Sequence, residues 1–190
     1  TDSSWHSVEP WKVSVTTAPK VTNPFEVENV AGIPFQVSTT QAAVDWVLNV
    51  AAVQHLSVNV RLANAWNVAL AHDNADYFEL LTTRGVNFPD GTPVVWFMNS
   101  QRRQVRGSTA ERVRGPSFFT EVLAQSSGSD VRHFLLGGSQ TTLDRLVETL
   151  REQHPDLQIA GSYSPPFAPA NTDFIADCVD HIASTRADLV

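Results

Sequence analysis

The stretch Gly85-Val-Asn-Phe-Pro-Asp-Gly-Thr-Pro-Val-Val-Trp96 predicts a strand, a turn and a helix in immediate succession. Residues 85–88 form a short, largely apolar piece of strand length. Pro89-Asp90-Gly91 is a turn signal, because proline presets φ and glycine tolerates positive φ. Thr92 and Pro93 then predict the N-cap and the first position of a helix. Ligands of open α/β sheets bind beyond the carboxyl ends of the strands, so Asp90 lies where an acid or base is useful; alternatively, it only shapes the turn.

The rest of the chain alternates short apolar strands with amphipathic helices. This order predicts an α/β layered fold with a mainly parallel sheet flanked by helices. The first predicted element is a hairpin over 27–37. Helices are predicted over 42–53, with Thr39-Thr40 as the N-cap, over 66–71, 75–81 and 92–103, from 116, over 141–153, and after an N-cap at Asn171 or Thr172. Strands are predicted over 56–62, 85–88, 131–136 and 157–160.

The two ends of the chain differ from its middle. Residues 1–26 are rich in Thr, Ser, Pro and Val and predict an extended arm, whose Trp5 and Trp11 we expect to dock on the body. Residues 27–190 predict one α/β domain. Ala187-Asp-Leu-Val190 has the character of the first half of a buried strand, so we expect the domain to be incomplete at its C-terminus and the open sheet edge to promote self-association.

The amino-acid composition limits the kinds of function that the protein can have. The chain of 190 residues is 42% hydrophobic and 17% charged, which is typical of a folded globular protein. Its net charge of −7 argues against a nucleic-acid partner, which requires a basic face. Cys178 is the single cysteine, so no intrachain disulfide forms, and its apolar helical surroundings predict a core position. No apolar run approaches a membrane span, so any membrane contact is expected to be peripheral.

Several candidate site residues follow predicted strands. Asn64, Asp90 and Gly137-Gly138 stand at three strand ends, which meet along one edge if the strands are parallel. Gly137-Gly138 before a helix is either a phosphate cradle or a structural turn. The polar segment 101–114 contains five arginines and ends in the motif Glu111-Arg112-Val113-Arg114-Gly115. Its arginines either supply cations that bind a diphosphate or belong to a solvated basic loop. The histidines lack metal-ligand spacing, and Gly-x-Ser-x-Gly is absent.

A series of short motifs runs through the chain in a fixed order. Asn64 is followed by Pro89-Asp90-Gly91, Glu111-Arg112-Val113-x-Gly115, Phe134-Leu-Leu-Gly-Gly138, His154-Pro-Asp-Leu157 and Ala160-Gly161. Over about residues 27–190 this series resembles the WecG/TagA/CpsF family of bacterial glycosyltransferases, which includes N-acetylmannosaminyltransferases. Each motif alone is weak, whereas the series at near-family spacing is fairly specific.

The resemblance implies a reaction and a set of residues. It implies a Rossmann-like enzyme, without metal or other cofactor, at the cytoplasmic face of the membrane. The enzyme would transfer a sugar, with inversion, from a UDP-sugar such as UDP-N-acetylmannosamine to a lipid-pyrophosphate-linked sugar. Asp90 would be the general base, and Arg112 would stabilise the departing UDP. Asn64, Gly91, Gly137 and Gly138 would complete the substrate-binding set.

Two positions depart from the family pattern. Leu62 stands where the family commonly has threonine, and Ser117 where it often has aspartate. Leu62 removes a hydroxyl that could bind substrate. The alternative is therefore a non-catalytic UDP-sugar-binding or scaffold domain of the same fold, and a third class, a protein-interaction module, would not bind UDP at all.

Overall fold

A computed structural model describes residues 23–54, 57–83, 85–103 and 109–190. Trp5, Trp11, Leu56 and Arg106, which carried expectations above, lie outside the described residues. The strands are β1 (Val27–Val30), β2 (Ile33–Gln36), β3 (Val60–Ala63), β4 (Val86–Pro89), β5 (Arg132–Leu136) and β6 (Gln158–Tyr163). The helices are α1 (Thr40–Asn49), α2 (Ala65–Asp73), α3 (Ala75–Thr83), α4 (Thr92–Arg102), α5 (Gly115–Ser126), α6 (Gln140–Gln153) and α7 (Thr172–Ala183), and a π-helical turn, Val50–Gln54, extends α1.

The strands confirm an α/β fold but make a less uniform sheet than the sequence predicts. The pairs β3–β4 and β5–β6 are parallel, whereas β1 and β2 are antiparallel. The described strands form three two-stranded ladders. The hairpin is antiparallel because two residues, Ala31 and Gly32 at φ of 51° and 85°, connect its strands, and parallel strands need a long crossover.

Side chains link the hairpin to β4. Asn87 lies in the middle of β4, and its backbone N–H donates to the Gln36 side-chain oxygen at 2.6 Å. The Asn87 amide also donates to the carbonyls of Pro34 and Leu81, each at 2.8 Å. Because a side chain occupies the position of a ladder carbonyl, β2 lies beside β4 without a regular ladder. Asn87 is 1% exposed, so this network is an interior part of the fold.

Three apolar clusters hold the layers together. One joins the hairpin to α2, α3 and α4, and a second packs α1 on β3 and β4 around Trp46 and Phe88. The third packs α6 on β5 and β6. Phe25, which the sequence assigns to the arm, makes edge-on ring contacts with Trp46 and Phe88, at centroid distances of 5.9 and 5.4 Å.

Several boundary predictions are confirmed and others are wrong. Thr39 caps α1, Asn171 caps α7, and Cys178 is buried, as predicted. Thr92 is not the N-cap of α4: Gly91 holds that position, and Thr92 is already helical, because proline at the following position fits the first turn. β6 continues to Tyr163, past its predicted end at residue 160, because its backbone pairs with β5 as far as Leu136.

Arg102 corrects the prediction of a five-arginine polar loop. It ends α4 and is 7% exposed, and its guanidinium binds the carboxylates of Glu26 and Glu28. The hydrogen bond to Glu26, followed by that to Glu28, raises the pKa of Arg102 above its usual value. This arginine therefore fastens α4 to the start of the hairpin instead of extending into solvent.

The last residues contain a single β-bridge where the sequence predicts the start of a strand. Leu189 forms a parallel bridge with His133 of β5, and its carbonyl accepts the N–H of Phe134 at 2.8 Å. The Leu189 side chain joins the cluster formed by α1, β3 and β4. The C-terminal segment therefore lies beside β5 on the edge that β6 does not use.

Candidate active site

Asp90 lies where two strands and a helix meet. It follows β4, and its backbone N–H donates to the carbonyl of Ala63 at the end of β3, at 2.9 Å. Its carboxylate oxygen Oδ2 accepts the N–H of Gly115, the first residue of α5, at 3.3 Å. The half-buried carboxylate is therefore held at the positive end of a helix, with its second oxygen available for another partner.

Asn64 has a fixed orientation because it caps α2. Its side-chain oxygen accepts the N–H groups of Trp66 and Asn67, at 2.9 and 3.4 Å. The Asn67 side chain accepts the Asn64 N–H at 2.8 Å and donates to the hydroxyl of Tyr77 at 2.8 Å. Since the oxygen is committed to the helix, Asn64 can offer a ligand only its NH₂ group.

Gly91 brings Asn64 and Asp90 together. A Cβ at position 91 would lie 3.3 Å from the Cβ of Asn64, which is tighter than ordinary contacts between side chains. The φ of Gly91 is −173°, so its backbone is extended and unstrained. Glycine leaves room here for the close approach of the two strand ends. Three of the predicted site residues, Asn64, Asp90 and Gly91, therefore form one constellation.

The segment that carries Arg112 is pinned by its backbone. Asn99 on α4 makes two 2.9 Å hydrogen bonds with the backbone of Ala110, one as donor and one as acceptor. The N–H of Val113 donates to the carbonyl of Pro89 at 2.9 Å, which places this segment against the end of β4. Val113 is fully buried, whereas its neighbours Arg112 and Arg114 are exposed. The fold thus presents both arginines on the outer side of a rigid segment that leads directly to Gly115.

The two glycines after β5 form a turn. Gly137 and Gly138 have φ values of 107° and 76°, which favour glycine. The Gly137 N–H donates to the carbonyl of Tyr163 at 3.0 Å, and the Gly138 carbonyl accepts the hydroxyl of Ser164 at 2.7 Å. The Gly137 N–H is therefore engaged within the fold. These contacts attach the glycines to the end of β6, and a role for them in binding phosphate remains a prediction.

Sequence reasoning missed a polar cluster beside this turn. The Tyr163 hydroxyl donates to the carboxylate of Asp177, and this hydrogen bond raises the pKa of Tyr163 to about 12. The Tyr163 ring stacks on His181 at a centroid distance of 3.7 Å. A tyrosine at a strand end was a usable signal, but the helix that supplies its partners lies 14 or more residues away along the chain. Gly115 as a hydrogen-bond donor to Asp90 was missed for the same reason.

Leu62, one of the departures from the family pattern, lies directly below the site. Its Cδ1 would be 3.6 Å from a Cβ at Gly115, and its side chain packs in the cluster of α1, β3 and β4. Leucine therefore extends the apolar layer up to the first turn of α5. The polar groups of the constellation come from the loop residues above this layer.

A cavity of about 1170 Å³ lies to one side of the constellation. It separates β3 from β5 and the C-terminal segment, and its walls are mostly apolar side chains of α1, α5 and β3. Of the residues around Asp90 it reaches Leu62 and Gly115 only. Arg61 also lines it: burial lowers the pKa of Arg61, and its Nη2 has no hydrogen-bond partner among the described residues.

A comparison with protein families identifies the family of the chain. The chain matches the sequence model of the "Glycosyl transferase WecG/TagA/CpsF family" over residues 28–190. This match places it among the glycosyltransferases. The chain belongs to the WecG/TagA/CpsF family, as its motif series predicts.

A curated relative gives a more specific likeness. The chain is 23% identical, over 147 residues, to the N-acetylglucosaminyldiphosphoundecaprenol N-acetyl-beta-D-mannosaminyltransferase of Bacillus subtilis (strain 168). The aligned part is 77% of this chain and 56% of that protein, so the chain spans about half the length of the relative. Within the described ranges, no helix has both the length and the apolar character needed to cross a membrane.

Proposed function

We propose that this protein transfers a sugar from a UDP-sugar to a lipid-diphosphate-linked sugar, with inversion at the anomeric carbon. The observation that carries the proposal is the Asp90 carboxylate, held by Gly115 at a strand end and adjacent to Asn64. The family supports a glycosyltransferase, and the relative's name supports an N-acetylmannosamine-type donor and a polyprenyl-diphosphate acceptor. In this proposal β3 to β6 belong to one Rossmann-like layered sheet at the cytoplasmic face of the membrane.

Asp90 acts as the general base. A sugar hydroxyl is a weak nucleophile until a base removes its proton during attack. Because Gly115 binds Oδ2, the other carboxylate oxygen takes the proton of the acceptor hydroxyl. The acceptor oxygen bonds to the anomeric carbon while the bond from that carbon to the UDP oxygen breaks, and UDP leaves with the electron pair. A single displacement of this kind inverts the configuration.

Arg112 stabilises the leaving group. The departing diphosphate gains negative charge, and a guanidinium with two parallel N–H donors neutralises it with defined geometry. Arg114, exposed on the same segment, adds a second cation. Asn64 contributes its NH₂ group to an oxygen of the sugar, and Gly91 keeps the space above it free of a side chain.

The experiment is a panel of UDP-sugars, each incubated with the purified protein and a polyprenyl-diphosphate-linked N-acetylglucosamine. Release of UDP is measured, and the configuration of the product is read by NMR. We expect acceptor-dependent UDP release with one N-acetylhexosamine donor. UDP binding by calorimetry without release from any donor would instead establish the non-catalytic binding domain. The absence of UDP binding would favour an interaction module.

A further inference from the structure

Two tryptophans near the candidate site are unusually exposed. Trp66 on α2 is 73% exposed and Trp96 on α4 is 70% exposed. Phe97 and Leu70 on the same two helices are 47% and 41% exposed. Single exposed apolar side chains are ordinary, but a group of large ones marks an interaction surface. We refer to Trp66, Leu70, Trp96 and Phe97 as the aromatic surface.

The aromatic surface borders the constellation around Asp90. The caps of α2 and α4, Asn64 and Gly91, are so close that a Cβ on Gly91 would lie 3.3 Å from the Cβ of Asn64. With a rise of 1.5 Å per residue, Trp66 and Trp96 lie about 3 and about 8 Å along their helix axes from those caps. Both tryptophans are therefore within the first two turns above the site.

The two helices lie on the same side of the β3–β4 ladder, because both pack in the cluster that contains Ala63, whereas α1 packs in the cluster that contains Leu62. Val68 and Ala71 of α2 pack in the same apolar cluster as Val94 and Met98 of α4. Trp66 and Trp96 are each two positions from such a core residue, about 200° around the helix, so they face away from the shared core. The outer faces of α2 and α4 are therefore both turned away from this side of the ladder.

This surface is uncharged in an acidic protein. Residues 65–71 and 91–101 contain no Asp, Glu, Lys or Arg, although the net charge of the chain is −7. An ordinary solvent-facing helix of this protein looks different: α6 carries several charges on its exposed side, namely Asp144, Arg145, Glu148, Arg151 and Glu152. The aromatic surface therefore lacks the charged side chains that solvate the exposed face of α6.

We infer that the aromatic surface binds the lipid bilayer that holds the acceptor. Tryptophan prefers the boundary between headgroups and acyl chains, where its ring is apolar and its N–H is hydrated. An uncharged contact also avoids repulsion between an acidic protein and anionic headgroups. When this surface binds the bilayer, the ends of β3 and β4 lie near the membrane, where a diphosphate-linked sugar is presented. The inference rests on the lipid-linked acceptor of the proposed function.

The test is co-sedimentation of the purified protein with vesicles of phosphatidylethanolamine and phosphatidylglycerol. We expect Trp66→Ser combined with Trp96→Ser to weaken vesicle binding about tenfold or more, because the double variant lacks the two indoles that insert into the bilayer. Phe167→Ser is the matched control, because Phe167 is fully exposed on a loop outside the surface, and it should bind vesicles as the wild type does. Thermal unfolding checks that the variants fold, and sedimentation velocity follows self-association.

Wild-type protein that does not bind vesicles would overturn the inference, and so would equal binding by the double variant. Loss of self-association at unchanged vesicle binding would assign the surface to a protein contact instead. Vesicle binding requires no turnover. Tryptophan-dependent binding together with no UDP release from any donor would therefore reject the proposed reaction and leave the membrane contact standing.

Discussion

The carboxylate of Asp90 accepts the backbone N–H of Gly115 at 3.3 Å, across 25 positions of the sequence. This hydrogen bond joins the turn after β4 to the first residue of α5. It fixes one of the two carboxylate oxygens. The geometry of the candidate base therefore depends on a glycine that carries no reactive group.

Replacing Asp90 by asparagine tests the base. Asparagine keeps the shape of the side chain and an oxygen for Gly115, but it cannot take a proton from the acceptor. We expect turnover to fall by about 100-fold or more, the usual contribution of a general base, with UDP affinity little changed. Acceptor-dependent UDP release and calorimetry measure the two quantities. Asp130→Asn, in an exposed turn, is the control. If Asp90→Asn keeps near wild-type turnover, Asp90 is not the general base and only shapes the turn.

Two substitutions at Gly115 separate its N–H from its size. A Cβ there would lie 3.4 Å from Asp90 Oδ2, an ordinary contact, so Gly115→Ala should keep the hydrogen bond and most of the activity. Gly115→Pro keeps a residue suited to the first helical position but removes the N–H. We expect a loss of kcat in the proline variant of about 10- to 100-fold, the range for a hydrogen bond to a charged group. If both variants have the same kcat and unfold at the same temperature, the hydrogen bond does not position the base.

Two substitutions at Asn64 separate its role in substrate binding from its role as a helix cap. Asn64→Ser retains an N-cap, so α2 should remain stable, but it removes the NH₂ group offered to substrate. Asn64→Ala removes both and should cost about 1 kcal/mol of unfolding free energy. We expect both variants to raise KM for the UDP-sugar, whereas only the alanine variant unfolds at lower denaturant concentration. A serine variant with wild-type KM would restrict Asn64 to capping.

The two exposed arginines should act on the donor diphosphate. Arg112→Ala should lower kcat/KM for the UDP-sugar by about 10- to 100-fold, the range for a hydrogen bond to a charged group, and Arg114→Ala should also lower it. Arg112→Lys should rescue only in part, because lysine lacks the paired donors. Arg145→Ala, exposed on α6, serves as the control. UDP affinity equal to that of the wild type in Arg112→Ala would exclude Arg112 from the site.

His133 should make stability depend on pH. It is 5% exposed, and its Nε2 lies 2.7 Å from the hydroxyl of Ser126, which donates to the carbonyl of Val122. The imidazole is therefore the donor to Ser126. Burial lowers its pKa, and nearby Asp188 opposes that shift in part.

The unfolded chain therefore takes up a proton below about pH 6.5 while the folded protein does not, and stability falls as pH falls through that window. His133→Gln should show a smaller decrease in Tm between pH 7 and pH 5 than the wild type. His72→Gln, at an exposed position, should show the wild-type decrease. Parallel Tm–pH profiles for His133→Gln and the wild type would contradict this assignment.

Local chemistry accounts for the parts of the fold that the sequence predicted. Thr39 and Asn171 were found as caps because a side-chain oxygen satisfies an N–H only two or three residues away. The junction between β4 and α4 was predicted because proline fixes φ and glycine tolerates conformations closed to other residues, although Pro89 still belongs to β4 and Gly91 has an extended φ of −173°. The family follows from residues spaced along the chain, and Asn64 and Asp90 were candidates because parallel strands end at one edge.

Contacts between distant segments decided the rest. Arg102 belongs to the sequence's basic segment, yet two carboxylates more than 70 positions earlier draw it into the interior. Asn64 and Asp90 became one constellation because Gly91 lacks a Cβ, and Gly115 joined it because α5 begins beside β4. The sequence by itself determined which residues could cap, turn and react, since those properties are local. Only the tertiary structure decided which of them meet, because that depends on how separate helices and strands pack.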